Sequence, residues 1–329
     1  MRLLPAGLAI AAAIVAAQLL SPYWLEVATT GTVFALTAMA LNLLYGYLGL
    51  LSFAQVAFWG VGGYAAALVA TRLGWPLLPA LGTAAFIAVA VGVPVGYAAL
   101  RLSRHSFAVV TLSLALLAQL LARDWTALTR GPLGIPGLVV PPLALPFGFR
   151  LDPADPRDFL VLAAALTVPG LVALHVLLSG TIGRSFNALK QNEPLAVSQG
   201  LNPLPLKLLA LAVSAGLTGA AGGLFVFHLT IVDPTIFDFY YTETMLVMVI
   251  VGGAGSFWGV LAGVVLFTVL PELLRITPDA RLVLYGVLLV GVVASMPDGI
   301  GGWFVRRQAA RRDADMAVDR ARQRAAAQP

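Results

Sequence analysis

The chain has 329 residues, of which 60% are hydrophobic and 11% charged, with a mean hydropathy of +0.91 and a formal net charge of +5. Ordinary soluble domains are about 45–50% apolar and about 25% charged, so a soluble globular enzyme is excluded. The length divides more naturally by the roughly 20 apolar residues that cross a bilayer about 30 Å thick, and the absence of cysteine removes a disulfide framework, a thiolate metal site and a cysteine nucleophile.

Stretches free of Asp, Glu, Lys and Arg cover residues 3–20, 27–71, 76–100, 106–122, 159–183, 208–232, 244–270 and 282–297. The first holds no charge, follows a single Arg and leads into further spans, so it reads as a retained span rather than a cleaved secretory signal. As helix, 27–71 would be about 68 Å long at 1.5 Å per residue, so it must hold two crossings, with the turn near residues 46–52. The expectation is an all-α polytopic membrane protein of about 8–10 transmembrane helices.

Between the spans, residues 123–158 hold four Arg, four Asp and seven Pro, the composition of an ordered, turn-rich external loop too short for a catalytic domain. Residues 184–207 form an internal loop. Seven of the twenty Lys and Arg lie between 305 and 324. This pattern suits an anionic cytoplasmic leaflet better than nucleic acid. The division expected is a transmembrane domain over 1–303 and a basic cytoplasmic tail over 304–329.

With the N-terminus inside, Arg101, Arg104, Arg184, Lys190 and Lys207 are cytoplasmic, and the acidic positions Asp233, Asp238 and Glu243 are external. A single crossing by 244–270 would then put the seven-Arg tail outside. If that stretch enters and returns, thirteen of the twenty basic residues fall inside. The prediction is therefore two short helices, or a re-entrant hairpin, broken at Gly252, Gly253 and Gly255.

Gly92 with Gly96, Gly219 with Gly223, and the ladder Gly255, Gly259, Gly263 place small residues at four-residue spacing, which lets helix backbones approach closely. The ladder is also expected to border a cavity, as Gly-rich broken segments inside membranes do.

Several chemistries are missing. No span holds the intramembrane acid or base typical of proton-coupled carriers. Lys190 and Lys207 each follow a leucine, so there is no G-K-[ST] phosphate loop. His105, His175 and His228 fall in separate segments without H-E-x-x-H spacing, and there is no G-x-S-x-G elbow. What remains is a set of weak dipoles, Asn42, Ser52, Gln55, Thr111, Ser113, Ser214 and Thr218. They can either hydrogen-bond a zwitterionic or neutral solute along a path or join helices to one another. Such a path supplies no energy of its own.

The internal loop reads GRSFNALKQNEPLAVSQGLN over 183–202. Asn192 suits a helix cap, Glu193 and Pro194 its first turn and Gly200 its end, predicting a cytoplasmic helix of about two turns. On residues alone, such a helix is usually a connector.

Three motifs carry a family resemblance spanning roughly residues 40–275. They are NLLYGYLGLLSFAQVAFWGVGGYAAAL over 42–68, the 183–202 loop leading into KLLALAVSAGLTGAAGGLF over 207–225, and MVIVGGAGSFWGVLAGVVL over 248–266. The chain resembles the permease subunits of bacterial ATP-binding-cassette importers for branched-chain amino acids, the LivM type. Where the family pattern runs A-I-R-E-N-E, this chain has Ala188, Leu189, Lys190, Gln191, Asn192 and Glu193, losing one Arg and one Glu.

The resemblance implies a transport subunit rather than an enzyme, in the bacterial cytoplasmic (inner) membrane with both termini cytoplasmic. Its implied partners are a second homologous permease subunit, cytoplasmic ATPase subunits and a periplasmic solute-binding protein. The chain itself holds no cofactor, because ATP and Mg belong to the ATPase subunits. Ala188, Lys190, Asn192, Glu193, Ala196 and Gly200 fall in the coupling helix that docks on the ATPase. Asn42, Ser52, Gln55, Ser214 and Thr218 are the candidates for the substrate path. A permease for urea, amides, sugars or nucleosides, and a passive channel for a neutral solute, stay open at this point.

Overall fold

The structure, a computed structural model, describes residues 4–140, 142–144 and 150–274, together with positions 283, 286, 287, 290, 291, 294 and 299–302. The predicted tail over 304–329 and most of the predicted 282–297 span lie outside the described residues.

The chain opens with α1 (Leu4–Leu19) and then α2 (Pro22–Asn42), which starts at a proline after extended Ser21, where a missing N–H is tolerated. A π-turn (Leu43–Tyr47) continues α2. After the non-helical residues 49–54 come α3 (Gln55–Leu73), ended by Gly74 at φ +65°, and α4 (Leu77–Ala99). Ser103 caps α5 (Arg104–Asp124), accepting from the Ser106 N–H at 3.2 Å. The 27–71 stretch thus makes two passes with its turn at the predicted place.

A connection with the short α6 (Thr126–Thr129) leads to α7 (Pro156–Ser179), whose cap Asp155 accepts from the Arg157 N–H at 2.9 Å. There follow α8 (Thr181–Gln191), α9 (Glu193–Ser198), α10 (Pro203–Leu229), α11 (Phe239–Gly252) and α12 (Phe257–Leu274). Among the described residues, two minimal antiparallel pairs interrupt the helical architecture. β1 (Ile135–Pro136) pairs with β4 (Ile231–Val232), and β2 (Leu143–Ala144) with β3 (Arg150–Leu151).

Among the described residues, six helices are long and apolar enough to cross a membrane, namely α2 with its π-turn, α3, α4, α5, α7 and α10. The shorter apolar helices are α1, α11 and α12. α2 and α10 are central, each with 67% of its most apolar window buried, whereas α5 is peripheral at 22%.

Contacts fix the direction of each pass. His228 at the end of α10 meets Glu26 at the start of α2, while Lys190 of α8 meets Gly46 at the far end of that helix. α2 therefore runs toward the α8–α9 end and α10 away from it. The break after α11 lies beside Asn42, and Glu272 at the end of α12 is bonded by the Tyr23 hydroxyl. Segment 244–270 thus enters and returns, as the charge count required. Gly301 then lies against Ser256, so the chain is back at the α8–α9 end by residue 301.

Glycines set how closely the helices pack. A Cβ on Gly222 would collide with the Trp59 carbonyl oxygen, one on Gly62 with the Gly219 backbone, and one on Gly219 would lie 2.8 Å from the Ala84 carbonyl oxygen. α3, α4 and α10 accordingly touch backbone to backbone, as small residues allow in a membrane. The Gly259 and Gly263 ladder behaves the same way. Gly259 meets the Gly252 carbonyl and Gly263 the Met248 carbonyl, so these two glycines close a seam between α12 and α11, while Met248 and Phe267 of the same broken segment border a cleft.

Candidate functional site

The predicted path residues are among the most deeply buried polar groups of the chain, and the structure gathers most of them in one column. Gln55, in the first turn of α3, donates from Nε2 to Ser214 Oγ at 2.7 Å and accepts at Oε1 from Thr218 Oγ1 at 2.6 Å. Ser214 Oγ in turn donates to the Ala40 carbonyl at 2.7 Å. One network thus ties α2, α3 and α10 together, with Gln55, Ser214 and Thr218 all inaccessible to solvent.

Asn42 acts at the other break. Its Oδ1 accepts from the Gly255 N–H at 2.8 Å and its Nδ2 lies 3.4 Å from the Ser256 carbonyl, so it clamps the turn between α11 and α12. Gly253 and Gly255 take φ of +102° and +93° there, which lets the chain reverse after Gly252. Ser52 Oγ accepts from the Ala54 N–H at 3.3 Å, and Thr111 Oγ1 from the Phe53 N–H at 3.1 Å. Both serve the entry to α3. Ser113 bonds only its own helix, on an exposed face. In this conformation Gln55, Ser214 and Thr218 bond one another, and Asn42, Ser52, Thr111 and Ser113 bond backbone groups.

Above the network lies an aromatic layer. Phe34 stacks on Trp59 at 5.8 Å, and Trp59 packs against Phe225 at 4.9 Å and Tyr241 at 6.0 Å. The Trp59 indole N–H is fully buried without a partner among the described residues. Trp59 is one turn from Gln55, so the layer sits directly over the polar column.

Phe34 is also the floor of a cleft of about 280 Å³ between α2, α11 and α12, with Met248 and Phe267 beside it and Glu26 and Glu272 at its mouth. Sequence reading missed this cleft because charge-free runs stop at Glu26 and Glu272. The helices do not, and their end turns bring the two carboxylates, 246 positions apart in the sequence, to one opening. His228 Nε2 lies 3.1 Å from the Glu26 carboxylate and its ring rests on Phe159 at 5.3 Å, so it packs α10 against α2 and α7.

At the opposite end, Asn192 caps α9 as its side chain predicts, accepting from the Leu195 N–H at 3.0 Å, and Gly200 closes the turn at φ +88°. The capped helix has six residues, close to the two turns expected, and extended Asn192 separates it from α8. Ala188 and Lys190 consequently sit on α8, not on the capped helix.

Orientation also differs from the sequence expectation. Ala196 points inward at 5% exposure, while Leu195 and Val197 face out at 58% and 47%. Glu193 does not face outward freely either, since its carboxylate pairs with Lys207 Nζ of α10 at 2.6 Å. Lys190 turns toward the spans and donates to the Gly46 carbonyl at 2.6 Å. Burial, then the neighbouring Arg104 charge, lowers its pKa below the usual lysine value.

Comparison with known proteins agrees with this arrangement. Residues 23–293 match the family model described as branched-chain amino acid transport system / permease component. Over 296 residues the chain is 31% identical to the high-affinity branched-chain amino acid transport system permease protein LivM of Escherichia coli (strain K12), covering 84% of this chain and 69% of that protein. It is 23% identical over 287 residues to the corresponding protein LivH of the same organism, covering 83% and 92%. No solved structure matches. A multi-pass helical chain whose capped loop helix and broken Gly-rich hairpin fall inside a match of this extent belongs to the family of permease components of branched-chain amino acid transport systems.

Proposed function

We propose that this chain is the translocating permease subunit of an ATP-driven importer for apolar amino acids such as leucine, isoleucine and valine. It acts with a second homologous permease subunit, cytoplasmic ATPase subunits that bind ATP and Mg, and a periplasmic solute-binding protein. The membrane is the bacterial cytoplasmic membrane, with both termini and the α8–α9 end in the cytoplasm. The observation that carries this reading is α9. A capped helix of fewer than two turns presents Leu195 and Val197 outward while its own base is anchored to α10 through Glu193 and Lys207. Two exposed apolar side chains on a rigidly held loop suit a docking partner, and a passive channel has no use for them.

Substrate reaches the chain at the acidic mouth of the cleft, where carboxylates suit an ammonium group and the Phe34, Met248 and Phe267 floor suits an aliphatic side chain. The Phe34 and Trp59 stack closes the way inward in the present conformation. When the partner ATPases move α9, the layer parts, and Gln55, Ser214 and Thr218 exchange their mutual hydrogen bonds for those of the zwitterion. Alternating access of this kind needs no charged side chain in the path, because fixed dipoles bind both head groups.

The test is uptake into vesicles holding all the subunits, with isotopic leucine and with urea and ribose as competitors. ATP-dependent leucine entry unaffected by either competitor is expected. Entry without ATP would overturn the mechanism, and carriage of urea or ribose in place of leucine would overturn the substrate.

A further inference from the structure

The chain has only two lysines, and both join the α8–α9 loop to the spans. Their partners differ in kind. Lys207 meets a carboxylate on α9, an ordinary ion pair that anchors the loop to α10. Lys190 instead reaches a neutral backbone oxygen, the Gly46 carbonyl, inside the π-turn that ends α2.

Retention of the loop does not need that second contact. Arg104 at the start of α5 already holds the end of α8, donating to the carbonyls of Leu189 at 3.3 Å and Lys190 at 3.5 Å. Placing a half-buried ammonium against one carbonyl costs desolvation that a neutral side chain would avoid.

The place it touches is the distinctive part. A π-turn is a rare, local slackening of the helix ladder, frequent at functional sites. This one abuts the hairpin break, since Gly46 lies against the Gly255 N–H that Asn42 holds at 2.8 Å. A continuous line of contacts therefore runs from the α9 cap at Asn192, two residues back to Lys190, across to Gly46, and on to Gly255.

We propose that Lys190 is a positioning residue for transport, transmitting movement of α9 through the Gly46 carbonyl to the π-turn and so to the α11–α12 break. The proposal rests on the reading of α9 as the ATPase-facing helix, and the experiment separates the two. In the intact multisubunit transporter, Ser198→Cys reports docking through its protection from a thiol reagent by the ATPase subunits. An environment-sensitive fluorophore on Ala254→Cys, exposed in the break, reports nucleotide-dependent movement there.

Lys190→Met keeps the stem and removes the donor. Expected are full protection of Ser198→Cys and continuing ATP hydrolysis, with the Ala254→Cys response and leucine uptake both reduced by about tenfold, a coupling of usual size between sites. Lys190→Arg, which keeps a cationic donor, restores part of both.

An unchanged response and unchanged uptake in Lys190→Met would overturn the proposal. So would loss of Ser198→Cys protection in that variant, which would make Lys190 a fastening of α9 only. Failure of the ATPase subunits to protect Ser198→Cys in the chain with its native lysine would instead remove the docking reading of α9, and this proposal with it.

Discussion

Replacing Gln55 with leucine tests whether the polar column is bonded as described. Leucine keeps an apolar stem in the same fully buried space and removes the bonds to Ser214 at 2.7 Å and Thr218 at 2.6 Å. Interhelical hydrogen bonds in a membrane contribute about 0.6 kcal/mol on average and about 1.7 kcal/mol at most, so two of them set a range of about 1–3 kcal/mol. Ser214 keeps its bond to the Ala40 carbonyl, and the Thr218 hydroxyl can turn to its own helix, so the expected loss is in the lower half, about 1–2 kcal/mol. Denaturant titration in mixed micelles, followed by tryptophan fluorescence, measures it. A double-mutant cycle with Thr218→Val isolates the Gln55–Thr218 term, expected at about 0.6–1.7 kcal/mol. Strict additivity of the two variants would refute the bonding, and unchanged uptake kinetics in Gln55→Leu would remove Gln55 from the path.

Leu195→Asp should leave the chain folded and abolish stimulation of the partner ATPases. Ala196→Asp, a charge placed in the interior, should lower the yield of folded protein instead, and the reverse pattern in yield and ATPase assays would reassign the outward face of α9. Gly222→Ala forces a methyl group onto the Trp59 carbonyl and should cost about 1–3 kcal/mol by the same denaturant titration, with a neutral result contradicting the close approach of α3 and α10. For orientation, Ser198→Cys should react with an impermeant thiol reagent only from the cytoplasmic side and Ala154→Cys only from outside. Reaction of both from one face would break the topology.

The spans within the described residues, the turn near residues 46–52, the Asn192 cap and the returning hairpin were legible, because each is written in local charge, periodicity or capping chemistry. The partners of the polar residues were not. Lys190 meets Gly46 across 144 positions and Asn42 meets Gly255 across 213, and nothing local distinguishes a lysine that docks a partner from one that turns back to its own chain. The facing of α9 was hidden for a related reason. Six residues are too few for an apolar period to show which side is inward, so nothing local showed that Ala196 faces in and Leu195 out. Glu26 and Glu272 were set aside as boundaries of apolar runs, although helix ends are where a membrane protein can carry charge and still present it to a cleft.

Helices in backbone contact cannot slide without lifting apart, so α3, α4 and α10 form one stiff plate, and α11 with α12 forms a second. Under the alternating access proposed above, opening is then expected as a rocking of the α11–α12 pair about the joint at Asn42 and Gly255, with the side chains of Gln55, Ser214 and Thr218 rearranging on a fixed backbone. A covalent staple inside one plate, such as between α4 and α10, would leave the working stroke intact. A staple from α2 to α12 near Gly31 and Thr268, where the two helices already meet eleven residues before Asn42, is expected to jam it.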